Sequence, residues 1–101
     1  MSVYVDTMRP TRKTSSWPFI ASCHMVADTQ VELFEIAENL GLLDRWFQSH
    51  RTLPHYDLTT NKRRQAIQRG AQIKTPKELI QLSRTEEFRR NWNLNPTVAK
   101  P

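Results

Sequence analysis

A single cysteine among 101 residues allows no disulfide within the chain, and a reducing, cytoplasmic setting is expected. Glycine is almost as scarce. Gly41 and Gly70 are the two present, and both follow helical patterns as stops. That scarcity excludes a Walker loop, a dinucleotide glycine fingerprint and a nucleophile elbow. No run approaches the roughly 20 apolar residues of a membrane span, so no membrane partner is expected. The first residues also lack a signal-peptide core, because Asp6 and Arg9 interrupt it early. No internal repeat or low-complexity stretch is present.

What the chain does have is positive charge: 15 Lys and Arg against 10 Asp and Glu, a net +5. Residues 19–44 are acidic to neutral, and most basic residues lie between Arg45 and Arg90. The asymmetry suits a phosphate-rich partner, nucleic acid or nucleotide. It equally suits plain solubility in a small domain. Hydrophobic content of 38% with 25% charged residues fits a folded globular chain. One domain over residues 1–92 is expected, burying about two-thirds of its unfolded surface. Residues 93–101, with two prolines and little to bury, read as a frayed tail.

The pattern along the chain predicts an α/β fold of about three short strands and three helices, with a sheet at least partly parallel. Residues 2–6 read as a strand with Val3 and Val5 on one side and Tyr4 and Asp6 on the other. Residues 7–18 are polar, basic and bracketed by proline, a mobile loop longer than a small domain usually carries. Residues 19–27 form a second strand. Asp28-Thr29 with Glu32 opens a helix whose Leu33, Ile36, Ala37 and Leu40 recur at helical spacing up to Gly41. Residues 42–58 have no clear period: Leu42, Leu43, Trp46 and Phe47 make an apolar cluster, and residues 49–54 look like a turn. Thr59 or Thr60 caps a second helix running to about Arg69, residues 71–74 form a third strand, and Thr75-Pro76-Lys77-Glu78 starts a third helix that continues toward Trp92.

Ionisable side chains cluster around two short strings, Cys23-His24 with Asp28, and His55-Tyr56-Asp57 with Lys62-Arg63. Burying such groups unpaired costs about 2–7 kcal/mol each, which places them around a shared surface pocket. Cys23 shares a strand face with Ala21 and Met25 and reads as a core thiol, while His24 points the other way. His55 and Asp57, two apart, aim together. They form either an acid–base pair, Asp57 orienting His55, or, with His24 and Asp28, a mixed His/carboxylate metal site. If a metal is held, its candidate ligands are Asp6, His24, Asp28 and Asp57, both aspartates falling just past a strand; the spacing matches no zinc signature. The bland alternative is that the histidines make structural hydrogen bonds. Lys62 and Arg63 in the first turn of the second helix oppose its dipole, a cost that a phosphate bound there relieves. Tyr56 would meet a base or sugar, and Arg9 and Arg12 would close over the pocket from the loop. Trp17, in that loop, could stack on a base.

The strings Val3-Tyr4-Val5-Asp6, Met8-Arg9-Pro10, Cys23-His24-Met25, Ala27-Asp28, Trp46-Phe47-Gln48 and His55-Tyr56-Asp57, followed by Lys62-Arg63 and Gly70-Ala71, occur in an order that resembles domain of unknown function 4031. The resemblance spans roughly residues 2 to 82. It implies a small, self-contained cytosolic domain of a kind found in bacteria and phages, and it implies no activity; the cofactor is unknown. Many relatives carry His after Glu-Leu, where this chain has Phe34. The leading expectation is therefore a non-enzymatic domain that binds a phosphate-bearing ligand through His24, Asp28, His55, Tyr56, Asp57, Lys62, Arg63, Arg9 and Arg12. Its rivals are a metal-assisted phosphoester hydrolase and a protein-interaction module, such as a phage factor that blocks a host enzyme.

Overall fold

The fold is organised by one strand. In the computed structural model, which describes residues 2–94, β3 (Ala21–Ala27) has neighbours along both edges. β1 (Val3–Val5) and β2 (Arg9–Pro10) pair with different stretches of one edge, and β5 (His55–Leu58) pairs with the other; all three are antiparallel to it. β4 (Phe47–Gln48) extends the sheet beyond β5, and β6 (Gln72–Ile73) joins β1 as its one parallel pair. The order β4-β5-β3-β1-β6 makes a mixed α/β sheet, with six strands instead of three.

Alternation along β3 divides the sheet into two unlike faces. Cys23, Met25 and Ala27 are buried with Tyr56 and Leu58 of β5 and Val5 of β1. Over them lies α1 (Gln30–Leu40), which buries the expected stripe Leu33, Ile36, Ala37 and Leu40. Thr29 accepts the Glu32 amide at its start, and Gly41, at φ 69°, supplies the left-handed exit. α2 (Thr60–Gln68), capped by Thr59 and followed by Gly70 at φ 105°, packs beside α1 and buries Ala66. His24, His55, Asp57 and Asp6 belong to the opposite face by the same alternation. There α3 (Pro76–Ser83) sets Pro76, Leu79 and Ile80 beside them.

Two elements depart from expectation. The third helix stops at Ser83, and a fourth, α4 (Glu86–Asn91), starts afresh after Thr85. The Thr85 hydroxyl donates to the Leu82 carbonyl and accepts the Phe88 amide, closing one helix and capping the next. The new direction buries Phe88 and Trp92, and the Trp92 indole donates to the Ala27 carbonyl at 2.9 Å. Asn93, at φ 56°, and Leu94 complete the exit of α4, so the expected tail falls outside the described residues only from residue 95 onward.

The basic segment 7–18 also has structure: β2 pairs with Ser22 and Ala21, and Thr14 accepts the Trp17 amide to tie the tip. No helix among the described residues is long and apolar enough to cross a membrane.

Candidate metal centre

Asp6 follows the last residue of β1, where the edge of β3 passes from β1 to β2. Val5 faces Met25 and Arg9 faces Ser22, so the edge chain takes four steps where β3 takes three. One extra residue is the count of a β-bulge, which breaks the ladder and re-aims side chains. The Asp6 carboxylate fills the broken rung: Oδ1 accepts the His24 amide at 2.6 Å, and Oδ2 lies 2.8 Å from His24 Nδ1. Asp6 is fully buried, and the Arg63 side chain donates to its backbone carbonyl at 2.8 Å from the helix side.

Because Asp6 can only accept when ionised, the neutral His24 ring carries its proton on Nδ1 and leaves Nε2 bare. The same holds for His55, whose Nδ1 donates to the Leu53 carbonyl at 2.7 Å. Its Nε2 lies 3.7 Å from Asp57 Oδ1, and the two imidazoles meet edge to face with ring centroids 4.7 Å apart. One ligand atom from each of His24, His55 and Asp57 falls within 4.8 Å of the others. Atoms bound to one ion at ~2.0–2.2 Å lie roughly 3–3.5 Å apart, so about 1 Å of side-chain movement closes the triad.

The three groups of the triad are shifted in different directions. The Asp6 hydrogen bond raises His24 above its ordinary pKa, against the opposing effect of burial. Burial lowers His55, favouring the neutral ring that ligates metals, and burial raises the Asp57 carboxyl. Gln48, opposite His55 in the register, favours the ionised Asp57 from one side. Among the described residues no Lys or Arg forms an ion pair with Asp57; its one ion-pair distance is to His55, which is charged only when protonated.

Beside the triad is a cavity of about 280 Å³, bounded by Asp6, Arg9, His24, His50, His55 and Ile80 among others. Arg9 thus reaches the site as expected. His50, which the sequence reading passed over, lines the cavity with its ring 6.4 Å from that of His55, so all three histidines of the chain gather here. Its Nδ1 accepts the amides of Thr52 and Leu53, which puts the proton on Nε2. The sole hint in the sequence was a third histidine inside an otherwise plain turn.

Other expected site residues lie elsewhere. Asp28 is at the far end of β3, because β1 and β3 run antiparallel; it accepts the Ser2 amide and the Tyr4 hydroxyl, each at 3.0 Å, and pins the start of the chain. It cannot join Asp6 as a ligand. Tyr56 alternates away from its neighbours and is buried against Phe47 under α1. Lys62 donates to the Leu40 carbonyl, closing the end of α1, and so meets no phosphate at this site. Arg63 steadies Asp6 from behind, and Arg12 is exposed on the β2 arm without lining the cavity. Trp17 is half-buried, edge-on to Trp46 and Phe19 at 5.1 Å, with its indole donating to the Ala21 carbonyl. Cys23 is a core thiol, pushed up to about 12 chiefly by burial and then by Asp6. Phe34 packs with Phe47 and Tyr56 on the apolar face.

A family model described as a protein of unknown function (DUF4031) matches residues 3–86, a span that includes the triad, Asp6, Arg9 and His50. No curated protein and no solved structure matches the chain.

Proposed function

This chain belongs to the DUF4031 family, whose description names no activity, and we propose that it is a metal-dependent phosphoester hydrolase centred on His24, His55 and Asp57. The observation that carries this reading is the common setting of the two imidazoles: each has Nδ1 committed to an oxygen, and one ligand atom of each lies within 4.8 Å of the other's and of an Asp57 oxygen. A carboxylate or carbonyl behind a ligating histidine fixes its tautomer and raises its basicity. Two nitrogens and one carboxylate oxygen suit Zn²⁺, Mn²⁺ or Fe²⁺ rather than the all-oxygen preference of Mg²⁺ and Ca²⁺. Three protein ligands leave coordination positions for water and for a substrate oxygen.

An ion held by His24, His55 and Asp57 would supply Lewis acidity at a phosphoryl oxygen and a more acidic water as the nucleophile for a single displacement at phosphorus. The bond from phosphorus to the leaving oxygen would break as that oxygen takes a proton from solvent water, with the Nε2–H of His50 on the cavity wall as a hydrogen-bond donor to it. Arg9 offers charge to the non-bridging oxygens. A second reading, binding of a nucleotide by the same residues without cleavage, is supported by Arg9 and by the net positive charge.

Calorimetric titration of the purified, chelator-stripped protein with Zn²⁺ or Mn²⁺ tests the centre. One ion per chain is expected, with binding lost in His55→Ala and Asp57→Asn. Turnover of bis(p-nitrophenyl) phosphate or a short oligonucleotide by the loaded protein, abolished by chelator, is the expected activity. A loaded protein without turnover removes the hydrolase and leaves the binding reading. No metal uptake removes both the ion and the proposed chemistry.

A further inference from the structure

The small cavity at the triad opens into a larger one. A groove of about 900 Å³ shares His50, Leu53 and Ile80 with it. Three arginines line this groove: Arg51 from the turn before β5, Arg84 between α3 and α4, and Arg89 of α4. Arg89 is held on the wall by a 2.6 Å hydrogen bond to the Arg84 carbonyl. No Asp or Glu lines the groove, and among the described residues none forms an ion pair with any of the three. Concentrated like charge without local compensation raises the potential along a concave surface and draws in anions.

The volume lies near the top of the ~300–1,000 Å³ that one drug-sized ligand occupies. Three guanidiniums spaced along it call for more than one anionic group. Leu53, Ile80 and Leu94 add apolar surface to the same lining, and cations beside apolar contact are what the phosphates and bases of a strand engage. We propose that this groove is a binding track for single-stranded nucleic acid, which Arg51, Arg84 and Arg89 hold by its phosphates and lead past His50 to the His24–His55–Asp57 centre. Delivery of a phosphodiester to that centre rests on the metal reading above; retention of the strand rests on the arginines alone.

The test is fluorescence anisotropy with a labelled single-stranded DNA of mixed sequence, about a dozen nucleotides long, across a series of salt concentrations. Arg51→Gln/Arg84→Gln is compared with Arg64→Gln/Arg69→Gln, which removes the same charge from α2 and its end, outside the groove. The groove variant is expected to bind at least tenfold more weakly, with a log–log salt slope shallower by about 1.4. The control is expected to stay within about twofold of the parent, as loss of distant surface charge would leave it. Equal weakening in both variants, or unchanged binding in the groove variant, overturns the track, as does a parent that does not bind the strand. Metal titration of the same samples separates the two readings. Weakened strand binding with full metal uptake supports the track, and the same weakening without metal uptake supports the track and removes only the metal centre.

Discussion

The two faces of the central sheet are built from the same three strands and differ in almost every physical respect. Toward α1, the side chains of Val5, Cys23, Met25, Tyr56 and Leu58 close into a core that ties up no polar group but the tyrosine. Away from it, Asp6, His24, His55 and Asp57 occupy alternate positions of those strands beside the buried Val26, and Asp6, His24 and His55 are held by hydrogen bonds. One face stabilises by excluding water. The other keeps ionisable groups out of full contact with water, where desolvation lowers His55 and raises Asp57; a cation would reverse the Asp57 shift and add to that of His55. Stability and chemistry are thus separated by a single step along each strand.

The largest effect that can break this division is a cavity on the closed face. Leu58→Ala is expected to cost about 2–5 kcal/mol in chemical denaturation. In the folded fraction metal affinity should stay close to that of the parent; a coupled collapse of metal binding would show that the faces are not independent. Asp6→Asn comes next. It keeps the shape of the side chain but weakens the support behind His24, and metal affinity should fall about 10–100-fold in calorimetry. Asp28→Asn is its counterpart at the other end of β3. It is expected to lose about 0.5–1.5 kcal/mol of stability while metal affinity stays at the parental level.

A smaller effect follows from His24 in the metal-free protein. Its folded pKa is raised above the ordinary 6.5, so the stability it contributes is present in full below that value and is lost as pH rises through the folded one. The stability gap between the parent and His24→Gln should therefore narrow from about pH 6.5 upward. A gap that widens with pH would refute the Asp6–His24 pairing. Cys23 should give no effect at all: buried, with a pKa pushed up to about 12, it should resist iodoacetamide in the native protein at pH 8 and react once unfolded.

The parts of this arrangement that were legible in the sequence are local. Thr29, Thr59 and Thr75 cap their helices through amides three residues on, and Gly41 and Gly70 follow helix ends at positive φ, all within reach of a short window. The period of two also placed His55 and Asp57 together, and applied strictly it would have removed Tyr56 from the site. Strand direction is not local. Asp6 and Asp28 looked equivalent as residues following strands, and the antiparallel pairing of β1 with β3 sends them to opposite ends. Lys62 and Arg63 were misplaced for a related reason. α2 packs on the closed face, so its cations serve the α1 terminus and the Asp6 backbone instead of a ligand. β4 and β5 escaped notice because they are brief and depend on the partner strand β3.

The bulge at Asp6 has one more consequence, for spectroscopy. The His24 amide is bonded to a carboxylate oxygen whose partner oxygen holds the ring of the same residue, so one backbone proton records the electronic state of the imidazole. Its nitrogen–proton resonance should stand at low field, exchange slowly with solvent, and move when an ion binds at Nε2 or when the ring gains a proton. A single assigned peak would then serve as a built-in gauge of the centre, readable without a substrate.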